Sequence, residues 1–207
     1  LNTIDVIVPV YNAFEDVVRC IDSVRRHTAT NCRIVLIDDC SPDERIAALF
    51  ATLEVEADAR IVVLKNSSNM GFVNTVNRGM SLTSNDVVLL NSDAIVTTRW
   101  LEKLRICAAS DHLIGTITPF SNNAEICSFP VFCQNNSLEG VDIEAVNRAM
   151  EEAATPVYPD IPTAVGFCMY IRRQLLDEIG LFDAETFGVG NVDEHDSILN
   201  DAIASIM

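Results

Sequence analysis

Basic residues are scarce in this chain. It carries 14 Lys and Arg against 30 Asp and Glu, a net charge of −16. Nucleic-acid phosphates are held by clustered Lys and Arg, so this balance argues against a nucleic-acid partner. It argues equally against direct adsorption to anionic lipid. Histidine is rarer still: His27, His112 and His195 are scattered, which leaves no histidine-rich zinc site. Glycine-rich phosphate loops are missing too. No GxGxxG follows the first apolar run, and no GxxxxGKS/T or GxSxG occurs anywhere, so a dinucleotide cradle, a P-loop and a hydrolase elbow are not supported. No apolar stretch approaches the roughly 18 residues that span a bilayer. Leu1-Asn2-Thr3 has no basic start of a signal peptide. The chain does not begin with Met and is read as a piece of something longer.

What is present is the material of one folded domain. The 207 residues are 49% apolar and 21% charged, enough for one sizeable core and too few for a second full domain. The 7 cysteines, Cys20, Cys32, Cys40, Cys107, Cys127, Cys133 and Cys168, are odd in number and have no CxxC spacing. They are read as reduced, mostly buried side chains, which implies a cytoplasmic protein. The remaining acidic excess is read as a solvated surface.

The first half alternates two patterns. Val- and Ile-rich runs at 4–10, 33–37, 61–64 and 86–90 read as buried strands. Between them, 14–26, 46–53, 71–82 and 100–108 carry apolar stripes at helical spacing. Ser41-Pro42 reads as a helix start, and 113–117 as a further strand. This alternation predicts an α/β fold with a mostly parallel central sheet flanked by helices. In such sheets ligands bind at the carboxyl ends of the strands, and those ends carry Asp38, Asp39 and Asp93. Beyond Ile117 the pattern loosens. Residues 119–140 read as a long irregular excursion, of the kind that carries function. A helix is expected at 141–152, an extended Pro-rich connection near 156–162, and a core strand at 163–171 with Gly166 inside it. A short helix is expected at 172–179 with Gly180 as its cap, and a last helix at 193–206.

Three acidic places could carry chemistry. Asp93 closes Asn91-Ser92-Asp93, and a carboxylate there could hold Mg²⁺ or Mn²⁺ against a diphosphate; a helix cap or turn serves equally well. Asp38-Asp39 could accept hydrogen bonds from a nucleotide, or could form a turn. In Asp193-Glu194-His195-Asp196 the two Asp share a helical face, and a carboxylate there could act as a general base; an acidic first turn is the alternative.

Together the motifs resemble family 2 glycosyltransferases. Val6-Ile7-Val8-Pro9-Val10-Tyr11-Asn12 is similar to that family's first strand and nucleotide loop, and Ile37-Asp38-Asp39-Cys40-Ser41 to its uridine- or thymidine-contacting turn. Asn69-Met70-Gly71-Phe72 with Asn77-Arg78-Gly79 resembles the segment after its third strand. Leu90-Asn91-Ser92-Asp93 resembles its metal motif. Val165-Gly166-Phe167-Cys168-Met169 and Gly180-Leu181-Phe182-Asp183 resemble its later strand and turn, and 187–196 its base-bearing segment. The resemblance implies a single GT-A domain over 1–207, with a nucleotide-sugar half at 1–118 and an acceptor half at 119–207. It implies an inverting transfer from a UDP- or dTDP-sugar to a glycan or lipid-linked hydroxyl. Its bacterial members build cell-surface glycans, some from rhamnose donors. On the same footing Pro9, Val10, Tyr11, Asp38, Asp39, Gly71, Asn77 and Ser92 would frame the nucleotide. Asp93 would hold Mg²⁺ or Mn²⁺. Asp196 would be the base, with Glu194 beside it, and Gly166, Phe167, Ser121, Asn122 and Asn123 would line the acceptor side.

The sequence departs from the family at Asn91, where relatives often have Asp, and at Asp193, where Glu is frequent. No His follows the base segment to ligate a metal. A truncated, non-catalytic nucleotide-binding or scaffolding module therefore stays open as the alternative reading. So do homodimerisation and peripheral contact with the inner face of the membrane. A sugar nucleotidyltransferase ranks last, because its basic glycine-rich loop is absent.

Overall fold

The computed structural model describes residues 3–28, 31–56, 58–153 and 155–187. The chain begins with β1 (Ile4–Val10), α1 (Phe14–His27), β2 (Cys32–Asp38), α2 (Glu44–Val55) and β3 (Ile61–Lys65). It continues with α3 (Gly71–Ser81), β4 (Asp86–Leu90), α4 (Trp100–Ser110) and β5 (Thr116–Ile117). After an excursion holding a short 3₁₀ turn at Glu125–Cys127 come α5 (Ile143–Ala153), β6 (Cys168–Ile171), α6 (Arg173–Ile179) and α7 (Ala184–Phe187). The strands form one sheet in the order β3-β2-β1-β4-β6-β5. The first four are parallel, and β6 runs antiparallel to both β4 and β5.

Side-chain alternation along the strands sets the two faces. In β1, Ile4, Val6, Val8 and Val10 join one core with α1, α2 and α4. Ile7 faces the other way, into a second core with Val35, Ile37 and α3. A one-residue slip of β1 would exchange these two sets, so the register Val6↔Ile34 and Val6↔Val88 is strongly specified. Each fully buried Val, Ile or Leu contributes roughly 1.5–3 kcal/mol. α3 lies directly on the sheet. A Cβ added at Gly79 would stand 2.7 Å from Ile7 Cγ2, so only glycine fits there.

Two strands are shorter than the sequence pattern suggests. The apolar run at 113–117 pairs only through Thr116 and Ile117, and the run at 163–171 only from Cys168. Gly166 therefore sits in the turn before β6, not inside the strand. Ser41 does not start α2. Asp43 does, accepting Arg45 N at 3.0 Å, while Ser41 Oγ accepts Asn12 N at 3.0 Å. α7 is an element the pattern did not announce. The expected helix at 193–206 lies outside the described residues. None of the seven cysteines is joined in a disulfide; five are buried, Cys40 is half-buried and Cys133 is exposed.

The amino ends of the strands are stitched by ion pairs and by arginines on carbonyl groups. Asp5, 0% exposed, pairs with Arg33 at 2.5 Å. Asp86 accepts the Tyr170 hydroxyl at 2.7 Å and Arg173 N at 2.8 Å. Arg172 donates to Ile114 O and Ala108 O, and Arg60 to Thr28 O while pairing with Asp58.

Candidate functional site

The order β3-β2-β1-β4 reverses direction at β1. The α1 and α2 crossovers pack on one face and α3 on the other, so the chain splits apart beside the carboxyl ends of β1 and β4. Parallel pairing brings the ends of β3, β2, β1 and β4 to one edge. β6 enters from that edge, because it runs antiparallel to β4 and Leu90 pairs with Cys168. Tyr11, Asp38, Asp39, Asn91, Ser92, Asp93, Gly166 and Phe167 thereby share one side of the sheet.

Backbone strain concentrates here. Asn12, Ala13 and Cys40 all hold positive φ, 57°, 50° and 60°, without being glycine. Asn12 is kept there by the bond from its N–H to Ser41 Oγ and by a second contact, Asp43 N to Asn12 Oδ1 at 3.4 Å. Strain of this kind persists where surrounding structure over-determines it, and it clusters at binding sites. Tyr11 stands between, 36% exposed, with Pro9 half-buried and Val10 buried beneath it.

The paired acids divide by face. Asp38, 2% exposed, accepts Ser41 N at 2.8 Å with Oδ1 and faces Lys65 Nζ at 3.5 Å with Oδ2. Asp39, 4% exposed, turns to α3. Its carboxylate accepts Asn66 Nδ2 at 2.6 Å, Met70 N at 2.8 Å and Gly71 N at 2.9 Å. It caps the start of α3 together with Asn69, whose Oδ1 also accepts Gly71 N at 3.0 Å. Gly71, the first helical residue, has φ +77°, a conformation that L side chains adopt only under strain. Two adjacent buried acids are thus tolerated because each is hydrogen-bonded.

The Asn91–Asp93 turn is braced from both neighbours. Asn91 N donates to Phe167 O at 2.8 Å, and Asn91 O accepts from Ala94 N and from the Cys20 thiol. Burial pushes Cys20 up to about 12, with the Asp93 charge adding to it, so Asp93 stands within electrostatic reach of α1. Burial also pushes Cys168 up to about 12, with Cys20 adding. Neither thiol is a nucleophile near neutral pH. Asp93 itself is exposed and Ser92 half-buried.

Other expected site residues serve the scaffold. Asn77 spends both halves of its amide on Phe182, accepting its N–H at 3.1 Å and donating to its carbonyl at 2.8 Å. This clamps the 180–183 turn to α3. Asn122 similarly closes the excursion by bonding Asn136, while Ser121 joins the same loop and Asn123 is exposed. The excursion leaves β5 at the functional edge and docks through Ala124 and Cys127 on Val165, with Phe167 alongside. Thr118 Oγ1 accepts Val165 N at 3.0 Å. Glu194 and Asp196 lie outside the described residues. The pattern missed Asn66, Thr75 and Arg78, because a lone polar residue on a helix or after a strand carries no sequence signature.

Every helix that begins at this edge starts with acid. α1 has Glu15 and Asp16 in its first turn, α2 has Asp43 and Glu44, and α3 is capped by Asp39. Carboxylates at these helix starts disfavour a phosphate there. An anionic ligand needs a cation to approach such an edge. Among the described residues, no group of three or more His, Cys, Asp or Glu could hold a metal ion. The exposed carboxylate of Asp93 fits a cation of the Mg²⁺ type, held by one or two carboxylates together with ligand phosphates.

A sequence profile described as Glycosyl transferase family 2 matches residues 5–180. An uncharacterized glycosyltransferase of Haemophilus influenzae is 31% identical over 102 residues, 49% of this chain and 31% of that one. Among solved structures, the mannosyltransferase PcManGT from Pyrobaculum calidifontis, in complex with GDP-Man and Mn²⁺, superposes with a TM-score of 0.61. It is 21% identical, over 94% of this chain and 50% of that one. GalNAc-T7 with UDP, GalNAc and Mn²⁺ superposes with a TM-score of 0.71 at 15% identity, over 100% of this chain and 40% of that one. The structural likenesses establish the fold, and the chain spans about half or less of each of these proteins.

Proposed function

The chain belongs to glycosyl transferase family 2, and from that membership we propose that it moves a sugar from a nucleoside diphosphate donor to a hydroxyl acceptor. The observation that carries this is the convergence of Tyr11, Asp38, Asp93 and the Gly166–Phe167 turn on one edge of the sheet, where the crossovers part. The solved relatives of this fold bind GDP-Man or UDP with Mn²⁺, which supports a nucleotide-diphosphate donor.

The proposed roles draw on this placement and on the family resemblance. Tyr11 offers a partly exposed ring on which a base can stack. Asp38 has acceptor capacity beyond Ser41 N. Asp39 contributes through the turn it organises at Met70 and Gly71. Asp93 would hold Mg²⁺ or Mn²⁺, and such an ion, when bound, neutralises charge on the departing diphosphate. Gly166 and Phe167 border the acceptor side together with the 118–137 excursion. The acceptor oxygen forms its bond to the anomeric carbon as the bond to the diphosphate breaks, which inverts that carbon. The hydroxyl proton goes to a carboxylate base, assigned to Asp196 with Glu194 beside it on the family resemblance. A glycan or lipid-linked acceptor and a cytoplasmic site of action complete the proposal. No helix among the described residues is long and apolar enough to cross a membrane.

The test is a thermal-shift titration of UDP, dTDP and GDP, each with and without Mn²⁺, on wild type and Asp93→Ala. A ligand that binds only the native state raises the melting temperature by mass action. The expected result is a Mn²⁺-dependent rise with one nucleotide, its affinity reduced roughly 10–100-fold in the variant, as for lost metal-site groups. No rise with any nucleotide would overturn donor binding and favour the non-catalytic module.

A further inference from the structure

Asn66 is 2% exposed and spends its whole side-chain amide inside the protein. Its Nδ2 donates to Asp39 Oδ1 at 2.6 Å and to Thr75 Oγ1 at 2.8 Å, and its Oδ1 accepts from Arg78. The same guanidinium nitrogen donates to Lys65 O at 2.8 Å. An amide can be turned over with little change in shape. Turned over here, it would aim oxygen lone pairs at the Asp39 carboxylate and leave that acid short of a donor. Arg has five donors and no acceptor, so it tolerates only the oxygen of Asn66. Arg78 and the Asp39 carboxylate therefore both select this orientation of the amide, Arg78 from the oxygen side. Arg78 also brings a positive charge two hydrogen bonds, through one amide, from a buried carboxylate.

Asp39 passes this order on. It accepts the N–H groups of Met70 and Gly71 and so holds the turn that opens α3, at the positive φ of Gly71. The chain of contacts runs from a half-buried helix residue, through a buried amide, to the backbone at the carboxyl end of β2. Asn77, on the same helix, is committed elsewhere: its side chain bonds the Phe182 backbone.

We propose that Arg78 is a positioning residue for the nucleotide end of the site. Through Asn66 it sets the Asp39 carboxylate, and through Asp39 it sets the 69–71 turn that borders the donor's nucleoside. This rests on the reading of the carboxyl edge as the nucleotide site.

The experiment is a calorimetric titration of UDP, dTDP and GDP, each with Mn²⁺, into the wild-type chain, Arg78→Met and Arg78→Lys. Melting temperature and amide hydrogen exchange at Met70 and Gly71 are read on the same proteins without nucleotide. Arg78→Met is expected to weaken the best-bound nucleotide about tenfold, which is about 1.4 kcal/mol. It should speed exchange at Met70 and Gly71 to a similar degree while the melting temperature stays close to that of wild type. Arg78→Lys keeps a donor for Asn66 Oδ1 and should recover most of the affinity. Unchanged nucleotide affinity in Arg78→Met overturns the inference. So does a loss that Arg78→Lys does not relieve, or one that merely tracks a falling melting temperature. A wild-type chain that binds none of the three nucleotides overturns the nucleotide-site reading itself. Unchanged exchange at Met70 and Gly71 in Arg78→Met then separately ends the relay.

Discussion

The two ends of the sheet treat charge in opposite ways. At the amino end, charged groups are closed off against one another or against carbonyls: Asp5 with Arg33, Asp58 with Arg60, Arg172 on three carbonyls. At the carboxyl end, carboxylates are spent on backbone N–H groups of turns and helix starts, and three non-glycine residues hold left-handed backbone. The same strands thus end in a sealed edge and in a shaped one. A depression lined by Asn85, Asp86, Arg172, Arg173 and Asp177 lies at the sealed end. Its arginines already donate to carbonyls at Ala108, Ile114 and Thr83, so concavity there does not amount to a site. Ligand capacity follows how groups are committed, and only secondarily the depth of a hollow.

Substitutions at the sealed end should cost stability and leave binding alone. The largest such loss is expected for Arg33→Met, which takes the charged partner from buried Asp5 and leaves it the amide of Asn85 at 3.4 Å. Removing one partner of a buried pair costs about 3 kcal/mol, read as a lower melting temperature with nucleotide affinity unchanged within about twofold. A parallel loss of affinity would break the division between the two ends. Next comes Asp58→Asn. The hydrogen bond from Arg60 holds the Asp58 carboxyl down at about 2, against an ordinary value of 3.8. A depressed carboxylate stabilises above its unfolded value, and that contribution disappears as pH falls through the folded one. Asp58→Asn should therefore cost about 1 kcal/mol at pH 7, close to a single charge-assisted bond. The gap to wild type should narrow in denaturant melts taken from pH 5 down to pH 2. A gap that stays constant over that range would remove the ion pair from the account. The smallest effect on stability belongs to the shaped end. Tyr11→Ala, at a residue already 36% exposed, should move the unfolding free energy by no more than about 0.5 kcal/mol. It should weaken nucleotide binding about tenfold, within the range for one lost base stack. Unchanged affinity would take Tyr11 out of the site.

Much of the fold was legible because its signals are local. β1 and β4 follow from runs rich in Val, Ile and Leu, and α1 from a stripe at 17, 18, 21 and 24. Position along the strands was legible as well, so Asp38, Asp39 and Asp93 could be assigned to strand ends before any coordinates. The extent of β5 and β6 was not, because apolar runs beside a turn look the same whether or not a partner strand reaches them. Nor was the partner of each polar side chain. Nothing in the sequence separates Asp38, facing Lys65, from Asp39, which caps a helix 31 residues downstream. Asn77 sits in a motif that suggests ligand, yet it binds the backbone of a turn 105 residues away. Such assignments depend on long-range pairing, which residue spacing does not encode.

The 118–137 excursion has a consequence for how such a chain diversifies. It departs at one strand terminus and is anchored by a small cluster around Val165, separate from the two large cores. Its length and composition can change with only that small anchor to be remade. A laboratory grafting loops between homologues, or a lineage exploring new acceptors, can rewrite this segment while the β1–β4 framework and its acids go on being inherited unchanged.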